Sequence, residues 1–322
     1  MGILSRLAMP LALKNRYLLT PSGRQLGSRL LPALVTLGPI IGGPVIGVVL
    51  AGIGALLDVG LIAGLGALLG FALFLGGVVA AWAFLLGGSR ANNDASQMWL
   101  AGDYVGPIAL CQKSLARVFR ADVRMRAFYT LGLCAEANGD FLEAADLFQR
   151  AFEAVPAMAA QKWKRRGQCM MLSHSAIALV ALGRLDEADR AVRMASALFP
   201  LLPGGGLVDA LSDDAAFGAA GVSAALRDLE LGRDHRALLS LATLTVLTAR
   251  GMAREALELA DRERHALTTG LLPREHALLS TIEARSHGLL GGGPMRSPGH
   301  AMTPHFDGNS AAWANRILAM RP

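Results

Sequence analysis

Hydrophobic and polar positions divide the chain sharply near residue 90. From Leu30 to Leu86 apolar residues follow one another without a polar face, and residues 31–88 hold a single ionisable side chain, Asp58. A helix on a soluble protein keeps a polar stripe, so a run of this kind belongs in lipid. Wound as one helix the block would measure roughly 85 Å against about 30 Å of hydrocarbon, too long for one span, and three spans would need about 60 residues before any loop. The pattern predicts a transmembrane helical hairpin, with spans near residues 33–55 and 61–85 and a turn at Leu57-Asp58-Val59-Gly60. Asp58 is then the polar tip of the hairpin, although an intramembrane proton or ion relay would use the same residue. Pro39 and Pro44 kink or delay the first span. Gly43 and Gly47, Gly60 and Gly64, and Gly66 and Gly70 recur four apart, a spacing that lets backbones pack closely.

Beyond the block, apolar positions recur three and four apart between short polar breaks, so residues 91–290 read as helical. The breaks share a form: Ala101-Gly102-Asp103, Asn138-Gly139-Asp140, Leu182-Gly183-Arg184, Leu231-Gly232-Arg233 and Arg250-Gly251-Met252. Each glycine can end a helix in the left-handed conformation, and Asp103 and Asp140 can cap the helix that follows. Asp140 with Glu143 predicts a capping box. Helix, glycine turn, helix, repeated, predicts an all-α solenoid of helix-turn-helix pairs.

The segment 125–156 makes the repeat specific. It carries Phe128, Leu131-Gly132, Gly139, Ala144, Phe148, Ala151 and Pro156 at a spacing that resembles the tetratricopeptide (TPR) repeat, with Ala135 where that family usually has tyrosine. In that resemblance Gly132 and Ala144 let the two helices touch, Phe148 fills the groove between repeats, and Pro156 ends the unit. Segment 169–200 is similar through Leu172, Gly183, Ala188, Ala195 and Pro200, with Ser175-Ala176 and Val192 departing from the pattern. The two prolines lie 44 residues apart rather than the family's 34, which implies an insertion holding Gln161 to Arg166. The stretch from Ala101 through Leu110 and Leu115 looks like a worn repeat, and Leu226–Leu241 and Leu239–Leu259 look like two more, with Gly232, Ala237, Gly251 and Ala256. A helix over Pro273–Leu290 would cap the stack. Residues 291–322 are rich in Gly, Pro, Met and Ser and predict a flexible tail. It holds a candidate short helix at 309–320, with Trp313, Ile317 and Met320 on one side and a frayed terminus as the alternative.

The resemblance implies a concave wall built by the first helix of each pair. On this chain that wall maps to Arg126, Tyr129, Leu133 and Glu136, then to Met170, Ser173 and Ile177. The lysine and asparagine clamp some TPR proteins use for a chain end is missing, since Tyr129 and Leu133 stand at those places. The expected occupant is therefore an apolar or helical segment of another protein. Burial of the same residues against neighbouring helices is the competing expectation.

Charge sharpens this picture. Arg6, Lys14, Arg16, Arg24 and Arg29 make residues 1–30 basic with no acid, which places the N-terminus, and after two spans the repeat domain, on the cytoplasmic side. The net charge of +6 comprises +5 there, −1 from the apolar block and +2 on everything else, too little local excess for a nucleic-acid partner. Lys162, Trp163, Lys164, Arg165 and Arg166 form one basic run, which either meets anionic lipid headgroups or is a solvated helix face. Arginine outnumbers lysine 27 to 4, as GC-rich coding would give, which favours a bacterial source, so the bilayer expected for the hairpin is a bacterial inner membrane. Cys111, Cys134 and Cys169 form no paired motif.

Neither a catalytic motif nor a phosphate loop appears, so no enzyme, cofactor or small-molecule substrate is expected. His276, Glu283 and His287 are poorly spaced for a metal, and Asp213-Asp214 reads as a helix cap. The sequence thus predicts a membrane-anchored scaffold or adaptor that binds proteins at the cytoplasmic face. The alternative is an accessory or assembly subunit of a larger membrane complex, acting through the hairpin with its glycine faces and Asp58.

Overall fold

The computed structural model describes residues 15–19, 44–50, 52–53, 60–117, 121–155, 161–198, 235–291 and 308–319, with backbone alone at 60–63, 66, 80–89, 117, 161–163 and 308. Every regular element among them is helical, and the arrangement is solenoid-like. After a 3₁₀ turn at Arg16–Leu18 come α1 (Gly60–Leu100), α2 (Gly106–Arg117), α3 (Ala121–Asn138), α4 (Phe141–Glu153), α5 (Gln161–Ala181) and α6 (Leu185–Leu198). Then follow α7 (His235–Ala249), α8 (Ala253–Arg262), α9 (Arg264–Gly270), α10 (Pro273–Leu289) and α11 (Gly308–Leu318).

Four tight turns make four hairpins, α1/α2, α3/α4, α5/α6 and α7/α8, and each turns on a predicted glycine. At Gly139, φ is +82°, a value an L side chain resists. Its N–H donates to the carbonyl of Glu136 at 3.1 Å and the Asp140 N–H to that of Ala135 at 2.8 Å. This pair of bonds satisfies two carbonyls the helix end would otherwise orphan. Gly102, Gly183 and Gly251 repeat the pattern bond for bond. Gly232 lies outside the described residues.

Caps follow the expectation at one aspartate and depart from it at the other. Asp103 accepts from the N–H groups of Val105 and Gly106, both at 2.9 Å, and so starts α2. Asp140 makes no side-chain cap. Its carboxylate is taken by the Tyr17 hydroxyl and the Arg16 guanidinium instead, so the predicted capping box with Glu143 does not form.

Hairpins stack because their apolar stripes face one another. In α4 the buried set Phe141, Ala144, Ala145, Leu147, Phe148, Ala151 and Phe152 falls three and four apart. α2 packs on α3, α4 on α5, and α7 on both α5 and α6. α10 then packs on α7 and α8 as the expected terminal helix, and α11 lies on α10 and α5. The predicted tail is therefore corrected at its end: residues 308–318 form a docked helix, with Trp313 2% and Ile317 0% exposed.

α1 also departs from expectation. The helix meant to end near residue 85 continues to Leu100, so the boundary placed between residues 88 and 91 falls inside one element. Its last turns are buried through Ala91, Asn92, Ala95, Ser96 and Trp99. Asn92 Nδ2 donates to the carbonyl of Val123 at 2.8 Å, tying α1 to α3. The earlier turns leave Leu65, Leu68 and Phe71 60% or more exposed. Among the described residues no helix is long and apolar enough to cross a membrane. The side chains of 61–63, 66 and 80–89 are outside that set, so the uncharged stretch between Asp58 and Arg90 enters it only in pieces. Of the first expected span only 44–50 and 52–53 are described, as helix, and Asp58 and its turn lie outside the described residues.

Candidate functional site

The wall implied by the sequence sits on α3 and α5, the first helices of their pairs. Gly132 allows the close approach beneath it: a Cβ there would stand 2.6 Å from Cε1 of Phe148 on α4. Phe148 in turn stacks on His174 of α5, centroids 5.1 Å apart, and Tyr129 meets the same imidazole edge-on at 5.7 Å. All seven wall residues, Arg126, Tyr129, Leu133, Glu136, Met170, Ser173 and Ile177, are 4% exposed or less. Burial against neighbouring helices, the competing expectation, is what the described residues show: Arg126 meets Asn93 of α1 and Glu136 meets Arg274 of α10.

Glu136 is the centre of that burial. A buried carboxylate needs an opposite charge and hydrogen bonds. Here Arg274 of α10 donates Nη2 to Oε1 at 3.2 Å, and His174 Nδ1 lies 3.0 Å from Oε2. The Nε and Nη1 of Arg274 find no acceptor among the described residues. Three aromatic faces meet the guanidinium instead: Trp99 at 5.3 Å, Tyr104 at 5.8 Å and Trp313 at 4.6 Å from ring centroid to Cζ. Ring quadrupoles attract a planar cation in such a position. One arginine thereby gathers α1, the turn after it, α3, α10 and α11 around a single point. Arg126, alongside, donates from Nη1 to Asn93 Oδ1 at 2.7 Å and joins α3 to α1.

Residues 15–19 make a second set of contacts, with α2, with α4 and with the turn between α3 and α4. Asn15 Nδ2 donates to Asp146 Oδ2 at 2.8 Å and to the Glu143 carbonyl at 3.1 Å. Gln112 Nε2 donates to the carbonyls of Tyr17 at 2.9 Å and Leu19 at 3.2 Å. Tyr17 and Leu18 are buried, and burial pushes the Tyr17 hydroxyl above the usual tyrosine range. Thus part of the segment read only as topogenic charge is a latch on the repeats.

Other candidates fall elsewhere. Lys162 and Trp163 lie at the start of α5 with side chains outside the described residues, followed by the half-buried Lys164, Arg165 and Arg166. His276, Glu283 and His287 share α10, where burial lowers the imidazole of His276 and raises the carboxyl of Glu283. Among the described residues no three His, Cys, Asp or Glu side chains group to hold a metal ion. The three cysteines are buried thiols, with Cys134 pushed up to about 12 by burial. Asp213-Asp214 lies outside the described residues.

Sequence reasoning missed Arg274, His174 and the latch. Glu136 and Arg274 are 138 positions apart and no periodicity links them. The latch left one trace, the apolar run Tyr17-Leu18-Leu19 inside a basic segment. No protein-family model matches the chain, and neither a curated protein nor a solved structure matches it.

Proposed function

We propose that this protein is a membrane-anchored, TPR-like scaffold whose helical body binds a helical segment of another protein at the cytoplasmic face of a bacterial inner membrane. The observation that carries the reading is the latch. Residues 15–19 dock on α2, α3 and α4, and α1 enters the same body at Ala91. Both flanks of the apolar block therefore belong on one side of any bilayer it enters, which an even number of spans satisfies and an odd number does not. Two spans over the expected segments meet that condition, with Asp58 at the far tip. The exposed leucines and phenylalanine of the early α1 turns, about 25 cal/mol per Å² of apolar surface each in water, favour lipid around them. The wall supports the choice of ligand: what covers it in this chain is helix, with one cation reaching the buried carboxylate.

Single cysteines placed at Ser22, Asp58 and Ser89 test the arrangement in intact spheroplasts with a membrane-impermeant maleimide, the native thiols being buried. Labelling of the Asp58 position alone is expected, with the other two reacting only after permeabilisation. Labelling of the Ser22 and Ser89 positions from opposite sides, or recovery of the chain in the aqueous fraction without detergent, overturns the anchor. Recruitment is read separately, by crosslinking in cells and identifying the proteins that co-purify. An unrelated two-span anchor in place of residues 31–88 keeps those partners if the body carries function and loses them if the hairpin does.

A further inference from the structure

We infer that the seat of α11 is an exchangeable binding site, filled here in cis, for an amphipathic helix of a partner protein that carries an aromatic residue with arginine, isoleucine and leucine three, four and five places on. This rests on the reading of the body as a helix-binding scaffold and names the site and its ligand.

The seat is built by other elements, and α11 meets it through apolar side chains that join the common core, Trp313, Ala314, Ile317 and Leu318, together with contacts specific to a helix. Trp313 lays its ring on the Arg274 guanidinium, 4.6 Å from Cζ to centroid. Arg316, one turn on, reaches the Asn138 carbonyl at 3.4 Å, where the negative end of α3's dipole favours a cation. Ile317 and Leu318 bury their side chains, and Arg285 of α10 donates to the Leu318 carbonyl, one of the acceptors a helix end leaves unpaired. Aromatic anchor, cation and free carbonyl end together specify a class of helix.

The occupant is suited to leave. α11 has 11 residues, and an isolated helix shorter than about 12–15 residues is marginal in water, so its order depends on the seat. Residues 292–307 join it to α10 through a stretch holding Gly292, Gly293, Pro294, Pro298, Gly299 and Pro304. Because α11 belongs to the same chain its docking is intramolecular, which gives it an advantage over a free ligand. A free helix therefore competes poorly with α11, and disabling α11 without touching Arg274 or Arg285 opens the seat.

The test uses the full chain in detergent and a fluorescent peptide of residues 308–319 as the probe. W313A/I317A in the chain is expected to bind the peptide at least about tenfold more tightly than wild type does, following the loss of the tethered competitor. A peptide with its own Trp313→Ala change is expected not to bind. Should the double variant fail to fold by circular dichroism, a protease site inserted between Gly299 and His300 of otherwise wild-type chain decides: after cleavage, excess peptide is expected to replace the released helix. A folded double variant that takes no peptide, or a nicked chain that keeps its helix against excess peptide, overturns the inference. A dimer of wild type that dissolves in the double variant also overturns it, since the occupant is then a second copy. Partners that still crosslink to a chain refusing the peptide leave the scaffold reading standing and sink this site alone.

Discussion

At Gly132 an added methyl group would arrive 2.6 Å from the Phe148 ring, which is itself fully buried and pinned by His174 behind it. Two terms compete in Gly132→Ala: overpacking costs about 1–3 kcal/mol, and the helix preference of alanine returns about 1. The ring has little room to yield, so overpacking wins, with a net loss of about 1–2 kcal/mol in chemical denaturation. In a Phe148→Leu background the same alanine is expected to cost less, because the atoms it meets are gone. Glu263 supplies a second test at this scale. Its carboxylate accepts from Arg236 Nε at 2.6 Å and Nη2 at 2.9 Å, which holds it below the usual glutamate range. A carboxyl lowered in the folded state stabilises above its unfolded value of 4.5 and loses that contribution as pH falls through the folded value. Arg236 is half exposed, so the gain is at most about 1 kcal/mol. Glu263→Gln is expected to fall below wild type above pH 4.5 and to converge on it as the pH drops through the lowered folded value, measured as thermal midpoints.

Among elements, the glycine turns carry the register of the whole stack. Gly183 sits at φ +82° with its N–H on the Val180 carbonyl at 3.0 Å, so any side chain must keep the left-handed conformation or give up the turn. Gly183→Ala is expected to cost about 1–2 kcal/mol and Gly183→Asn less, since asparagine visits that region more readily. This is also why the hairpins were legible in sequence: a glycine between two apolar periodicities is a local signal with a local cause. The resemblance set Gly132 at the close approach of the two helices with Ala144 and gave Phe148 to the groove between repeats, whereas in the structure it is Phe148 that faces Gly132. What local patterns did not carry were partners distant in sequence. Asp140 has the sequence of a capping residue, and the latch took its carboxylate for Arg16 and Tyr17. Apolar density alone likewise could not say where α1 ends, because the polar half of that helix continues the winding through Arg90 to Leu100. The wall residues stand on α3 and α5, and what buries them includes partners distant in sequence, Asn93 of α1 for Arg126 and Arg274 of α10, 138 positions away, for Glu136.

For the molecule as a whole, closure of the stack turns on one ion pair. Glu136 and Arg274 are 0% and 6% exposed, and the cation's faces are held by rings from α1, the α1/α2 turn and α11. Removing one member of a buried pair leaves the other charged and unsolvated, at a cost of about 3–5 kcal/mol, whereas removing both is often close to neutral. Arg274→Ala is therefore expected to destabilise the chain by about that amount in denaturant. Arg274→Met with Glu136→Gln is expected to restore most of it, because methionine keeps contact with the three rings and glutamine can still meet His174. The α11 seat separates the two variants from a purely local effect. Without the guanidinium Trp313 loses the face it lies on, so in a background where Trp82, Trp99 and Trp163 are phenylalanine its fluorescence is expected to shift to the red in both variants, including the one whose stability returns. A double variant as unstable as Arg274→Ala would mean the pair is not what closes the stack. Unchanged tryptophan emission in both would mean that α11 is held by its apolar face alone, with the cation contributing nothing to its docking.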